Sequence, residues 1–324
     1  MADVRAGAMV LLESCAAVQP HEVVVIVADA SSVGLAEIMY RAASPRFETI
    51  LVTMRDRVMH GEEPPRAVAA AMSAGDVIFG VTRYSLFHTE ARRAACARGA
   101  RFVNMADYDE SMLEFGGLFV DFSAQAGVVD RVAEAMRGER MEVTSAAGTR
   151  LVAAIKGRVP LPQYGRSVEP GAASSPPDIE CAVAPVEGTA EGIIVVDGSI
   201  PHPRLGVVSC PVQLKVDQGV VTAITGGSLA RELRQILTDF GDENAFAVGE
   251  IGIGLNPMAT IRGRMLEDEG VYGTVHFGLG SNRSFGGNIA ARVHLDLVVR
   301  VATCVVDGRT ILRDGKLCEE VLGS

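Results

Sequence analysis

What most constrains this chain is an alternation that fills its first part: short unbroken runs of β-branched residues, separated by stretches with helical spacing. Residues 22–27, 49–53, 76–81 and 101–104 are the runs, and residues 33–42, 65–74 and 89–98 are the helical stretches between them. An apolar run without polar alternation marks a strand covered on both faces. Parallel neighbours need a crossover, and a helix supplies it, so strand–helix repetition predicts a doubly wound parallel sheet. No strand is followed by G-x-G-x-x-G or G-x-x-x-x-G-K-[ST], so the segment carries no standard nucleotide loop. A scaffold or oligomerisation role is expected of it.

A helix over 128–136 leads into a different texture. Residues 163–178 are rich in Pro, Gly and Ser and read as a loop long enough to be functional. Beyond it the pattern is antiparallel. A strand runs over 192–198. Residues 213–216 and 220–224 flank Asp217-Gln218-Gly219, and residues 303–306 and 310–312 flank Asp307-Gly308, both hairpin signals. One helix, 228–240, interrupts this sheet. The predicted architecture is α/β: a Rossmann-like or flavodoxin-like domain with a doubly wound parallel sheet over 1–140, then an α+β domain rich in antiparallel strands over 141–324.

Bulk properties narrow the function. The net charge is -10, which argues against nucleic-acid or anionic-membrane partners, since both need a basic footprint. The start of the chain has no basic segment followed by a long apolar run, and the strongest apolar stretch, 23–28, is strand-sized. The 6 cysteines are scattered without a C-x-x-C pair, neither a zinc finger nor a disulfide framework. A cytoplasmic protein with reduced thiols is expected.

The residues that suggest chemistry lie in the second half. His294 and Asp296 stand two apart in a strand-like run, so they project to one face, with Val293, Leu295 and Leu297 on the other. An imidazole nitrogen and a carboxylate oxygen converging from one strand make half of a divalent-metal site; alternatively Asp296 only orients His294. His276, in the glycine-rich run 273–280, reads as a ligand or as a packed strand histidine. Glu250 sits in an apolar, glycine-rich segment where an unpaired charge is costly to bury. Its glycines allow a ligand or another chain to approach; the competing reading is a solvent-facing edge residue. Glu180, Glu187 and Glu191 crowd a turn-rich stretch, and spacing does not choose among them. His21, His60, His88 and His202 show no second ligand on a shared face. With no G-x-S-x-G elbow or reactive Cys–His pair, the expected chemistry is that of one or two divalent ions.

The ordered segments Gly249-Glu250-Ile251-Gly252, Gly273-Thr274-Val275-His276-Phe277-Gly278-Leu279-Gly280 and His294-Leu295-Asp296 resemble the thermophilic aminopeptidase T family of metal-dependent leucyl aminopeptidases. Glu180 to Gly192, the run 85–92 and Gly148-Thr149 extend the likeness over most of the chain. The resemblance implies dinuclear metal ligands at Glu180, Glu250, His276, His294 and Asp296, and so selects Glu180 from its neighbours. It implies two zinc, cobalt or manganese ions, a homodimer, and hydrolysis of an amide or peptide bond in a small-molecule or short-peptide substrate, with Glu250 as the bridging carboxylate. Seven residues after the ligand histidine, where that family has a tyrosine, this chain has Arg283, which is expected to stabilise a substrate carboxylate or oxyanion. A shorter branch, containing the mononuclear iron(II) enzyme 2,5-dihydroxypyridine 5,6-dioxygenase, resembles the chain in length and in Gly254-Leu255-Asn256-Pro257. Its triad of two histidines and an aspartate falls on Glu250, His294 and Asp296, leaving His276 without a counterpart. An iron(II)-dependent ring-cleaving dioxygenase is therefore the alternative expectation.

Overall fold

The computed structural model describes residues 3–323. The chain forms two compact units: up to Phe122 together with Tyr164–Pro177, and Ser123–Gln163 together with Asp178 onward.

In the first unit the apolar runs are strands β1 (Val23–Asp29), β2 (Glu48–Met54), β3 (Val77–Val81) and β4 (Arg101–Asn104). Helices α2 (Val33–Ala43), α3 (Arg66–Ala74) and α4 (Glu90–Ala97) make the crossovers, while α1 (Val4–Val10) and α5 (Glu110–Glu114) flank them. The loop 163–178 contributes a two-residue strand, β8 (Ala173–Ser174), giving the parallel order β2-β1-β3-β4-β8. Because β1 lies inside the sheet, the chain winds outward in both directions. Val25, Val27, Ile78 and Phe102 pack with Val68 and Met72 of α3 and with Ala95 and Cys96 of α4. Val24, Ile26 and Ala28, pointing the other way, are equally buried, and α2 packs on β1 and against α1. Each such Val or Ile contributes about 1.5–3 kcal/mol by leaving water, which explains the unbroken apolar runs. Thr89 starts α4 by accepting a hydrogen bond from the Arg92 backbone N–H at 3.2 Å.

The second unit holds α6 (Phe122–Ala135) from its second residue onward, α7 (Gly227–Asp239), the short helices α8 (Met265–Asp268) and α9 (Glu319–Leu322), and two antiparallel sheets. Its strands are β5 (Arg140–Ser145), β6 (Arg150–Ala154), β7 (Leu161–Gln163), β9 (Glu180–Val183), β10 (Glu191–Val196), β11 (Ser199–Ile200), β12 (Gly206–Val207), β13 (Val212–Asp217) and β14 (Val220–Thr225). They continue with β15 (Val248–Gly254), β16 (Val275–Gly280), β17 (His294–Val299), β18 (Ala302–Val306), β19 (Arg309–Arg313) and β20 (Lys316–Leu317). One sheet runs β14-β13-β10-β6-β5-β18-β19-β20, the other β12-β11-β17-β16-β15-β9-β7. Both hairpins read from the sequence are present. Asp307 (φ 48°) and Gly308 (φ 81°) form the two-residue turn with positive φ at both positions that matches strand twist. The α/β class, a parallel sheet joined to an antiparallel α+β part, holds. No single helix among the described residues is long and apolar enough to cross a membrane.

Candidate metal centre

The seven-stranded sheet builds a floor from four adjacent strands, β17, β16, β15 and β9. Directly opposed residues of antiparallel strands project to the same side. Asp296 opposes Gly278, which opposes Glu250; His294 opposes Gly280; His276 opposes Gly252; Glu180 opposes Gly254. Every candidate ligand therefore faces a glycine across the ladder. The intervening residues Ile251, Ile253, Phe277, Leu279, Leu295 and Leu297 turn to the other side and are buried there. The glycines are needed for space. A Cβ on Gly252 would lie 2.0 Å from His276 Nε2, and one on Gly278 would lie 2.6 Å from His294 Cε1 and 2.9 Å from Glu250 Oε2.

The five side chains singled out from sequence thus meet. His276 Nε2 is 2.9 Å from Glu180 Oε2 and 3.6 Å from Glu250 Oε1. His294 Nε2 is 2.7 Å from Glu250 Oε2 and 3.4 Å from Asp296 Oδ1. Glu250 stands between the two imidazoles, one oxygen toward each. Two groups of ligand atoms result, Glu180–Glu250–His276 and Glu250–His294–Asp296, with the atoms of each group within 4.8 Å of one another. All are buried except His294, whose side chain is 29% exposed and marks the open side. His294 Nδ1 meets the Ser281 carbonyl oxygen at 2.8 Å. A carbonyl can only accept, so Nδ1 carries the proton and Nε2 is presented to the acidic cluster.

Two further carboxylates complete the cluster. Asp178 Oδ1 and Glu269 Oε1 are buried with no hydrogen-bond partner, as is His276 Nδ1. Burial pushes Asp178 and Glu269 well above the usual carboxylate range, and the neighbouring charges of Glu180 and Asp296 respectively add to it. Burial also raises Glu180, against the pull of His276. Burial lowers the pKa of the imidazoles, yet Glu180 holds His276, and Asp296 holds His294, well above the ordinary histidine range. Asp296 moves the other way: burial raises it, but His294 brings it to about 2. No lysine or arginine pairs with any of these seven side chains among the described residues. Hard oxygen donors, imidazole nitrogens, orphaned buried oxygens and a glycine-cleared floor together fit a divalent ion.

Neither Asp178 nor Glu269 was singled out from sequence. Asp178 stands two residues before Glu180, the same spacing that paired His294 with Asp296. Glu269 hid in the run Glu267-Asp268-Glu269. There, Glu267 accepts from Thr260 N and Arg262 Nη1, and Asp268 accepts from the backbone N–H groups of Arg262 and Gly263, leaving only Glu269 for the cluster. Arg283 opens a single 3-10 turn, Arg283–Phe285, with its side chain exposed. Of the histidines set aside, His60 Nδ1 accepts from Ser85 N and His202 Nδ1 from Arg204 N.

Fold and floor define a class: an α/β protein with a carboxylate–imidazole cluster suited to divalent cations. The family model NicX, 2,5-dihydroxypyridine 5,6-dioxygenase, matches residues 1–319, and the chain belongs to that family. A curated 2,5-dihydroxypyridine 5,6-dioxygenase of Pseudomonas putida KT2440 is 29% identical over 185 residues. That match takes in 54% of this chain and 53% of the relative, so the chain spans about half the length of the curated relative it matches. The solved structure of the 2,5-dihydroxypyridine dioxygenase from P. putida KT2440 is similar with a TM-score of 0.75 at 20% identity, covering 97% of this chain and 96% of that one. Wild-type AmpT from Thermus thermophilus is similar with a TM-score of 0.67 at 14% identity, covering 97% and 98%. At these identities both structures show the fold alone.

The family corrects the first expectation. A hydrolase of amide or peptide bonds, and with it a leucyl-aminopeptidase-like enzyme, is overturned by the dioxygenase family match and by the curated relative. The likeness to aminopeptidase T is a distant relation of fold. Physically, the order Glu…Glu…His…His-x-Asp describes a carboxylate–imidazole floor on this sheet, and a floor does not specify which bond is broken above it.

Proposed function

We propose that the protein is a metal-dependent dioxygenase that opens a dihydroxylated pyridine ring, with iron(II) held by Glu250, His294 and Asp296. The family match over 1–319, joined to a compact triad on the open side of the floor, carries this reading. When bound, iron(II) supplies electrons to dioxygen and a positive anchor for a hydroxylated ring. The chain's own residues set the stage. Ser281 fixes the tautomer of His294, while Glu250 and Asp296 present oxygens to the same point. Asp178 and Glu269, buried beside Glu180 and Asp296, add two carboxyls that a bound cation would draw toward their charged form. Arg283, on its exposed turn, offers a guanidinium to a substrate oxyanion. Glu180, Glu250 and His276 offer a second cation position, wholly buried. The triad carries one imidazole and two carboxylates, one negative charge more than the two-histidine, one-carboxylate arrangement.

The test is to load the protein anaerobically with ferrous iron and supply 2,5-dihydroxypyridine, the compound named for the relatives, with dioxygen. Equimolar loss of dioxygen and of the ring absorbance is expected. Protein that holds one iron per chain yet takes up no dioxygen with this or any other dihydroxypyridine refutes the proposal.

A further inference from the structure

Glu187 and the loop 281–291 are not part of the ligand set, yet they converge on one of its members. The loop follows β16, returns to β17, and closes around Asn282, whose side chain is wholly buried. Asn282 Oδ1 accepts from Ile289 N at 2.7 Å, and its carbonyl accepts from Phe285 N at 2.9 Å and Gly287 N at 3.0 Å. Glu187, from the connection between β9 and β10, seals this loop from outside. One of its carboxylate oxygens accepts from Asn282 Nδ2 at 3.1 Å and Asn288 N at 2.8 Å, and the other is paired with Arg158. Arg158 in turn donates to the Gly286 carbonyl at 2.6 Å. Burial raises the Glu187 pKa, but the Asn288 N–H and the Asn282 amide outweigh it and hold the carboxyl below its usual range.

The held loop delivers two groups to the metal centre. Ser281 places its carbonyl 2.8 Å from His294 Nδ1, and Phe285 stacks on the His294 ring with centroids 5.3 Å apart and planes at 22°. His294 is the partly exposed member of the floor, so its orientation is the one that packing within the sheet fixes least. We propose that Glu187 is a positioning residue for the metal centre, latching the loop 281–291 so that Ser281 and Phe285 keep the His294 imidazole turned with Nε2 toward Glu250. The latch rests on His294 being a metal ligand, but not on which reaction the bound metal performs. Groups that orient a ligating histidine change metal affinity about 10- to 100-fold when lost.

Zinc is the probe, because it is diamagnetic and redox-inert. Glu187→Ala is expected to bind zinc 10- to 100-fold more weakly and to be cut by trypsin after Arg283 about tenfold faster. Its His294 ring protons should lose their upfield ring-current shift. Glu187→Gln keeps an acceptor oxygen for Asn282 and Asn288 but turns an NH2 toward Arg158, and is expected to fall between wild type and Glu187→Ala. Zinc affinity unchanged in Glu187→Ala, or no better in Glu187→Gln than in Glu187→Ala, overturns the latch. If Glu187→Ala does not fold, Phe285→Ala decides, since its side chain makes no hydrogen bond. A threefold to tenfold weaker zinc affinity with the altered His294 signal is then expected, and unchanged values overturn it. His294→Ala separates the two ideas: wild-type zinc affinity there would fault the ligand assignment instead.

Discussion

Gly252→Ala tests the floor directly. The new Cβ would stand 2.0 Å from His276 Nε2 and 2.2 Å from its Cε1. Non-bonded contact needs about 3.5 Å, so the ring would have to retreat by about 1.5 Å. His276 is wholly buried, with Glu180 and Glu250 against its Nε2, so the movement must break the Glu180–Glu250–His276 group. A displacement of roughly 1 Å at a preorganised site costs on the order of 100-fold, equivalent to about 2.7 kcal/mol of binding. Overpacking separately destabilises the metal-free protein by about 1–3 kcal/mol. The two effects are told apart by measuring the melting temperature in chelator and again with saturating metal, alongside a calorimetric metal titration. The metal-dependent rise should shrink by roughly 5–10 °C relative to wild type. Gly34→Ala is the control: nothing lies within 4 Å of its would-be Cβ in helix α2, so it should leave metal binding untouched and stabilise slightly. Metal affinity within threefold of wild type in Gly252→Ala, with an undiminished rise in melting temperature, would refute the steric reasoning.

Glu250→Ala removes the one carboxylate common to both ligand groups, so elemental analysis should find metal content near zero; one firmly held ion per chain would contradict the sharing. The pH dependence of the metal-free protein follows from its shifted groups. His276, His294, Asp178, Glu180 and Glu269 all have folded pKa values above their ordinary ones, so each stabilises the fold when protonated and that contribution is lost as pH rises. Melting temperature in chelator should therefore fall from pH 5 toward pH 9, while metal-loaded protein should not show the fall; Asp296, lowered to about 2, adds a loss only on strong acidification. Asp178→Asn removes a buried charge from this crowd, and at pH 8 it should melt higher than wild type in chelator yet bind metal more weakly. A lower melting point in chelator would mean that Asp178 is not repelled by its neighbours.

The parallel half of the fold was legible because its physics is local. Residues 101–104 and 33–42 mark β4 and α2 to within a residue, since unbroken β-branched runs and helical spacing are properties of contiguous sequence. Strands β5 and β6 carry no such contiguous apolar run. They pair with each other across a short turn, but their outer edges are taken by β10 and β18, dozens to more than a hundred residues away. The loop 163–178 hides β8 for the same reason: two residues become a strand only because β4 offers an edge.

The candidate metal centre divides along the same line. His294 and Asp296 were readable as a pair because strand periodicity alone puts them on one face, and Glu250 because a carboxylate in an apolar run demands a partner. That Asp296, Gly278 and Glu250 lie in one row across three strands is a fact of register, and no spacing in the sequence contains it. The same holds for Glu187. Among the three glutamates of its segment it had nothing to set it apart, and only the folded loop shows it gripping Asn282 while Glu180 reaches the floor. Register also explains why the first chemical expectation failed. The candidate ligands lie on four strands that are adjacent in the sheet, and that adjacency belongs to the fold. The reaction depends on what stands on the open side of His294, and there Phe285 sits on a loop whose conformation is set by hydrogen bonds to Asn282 rather than by any motif.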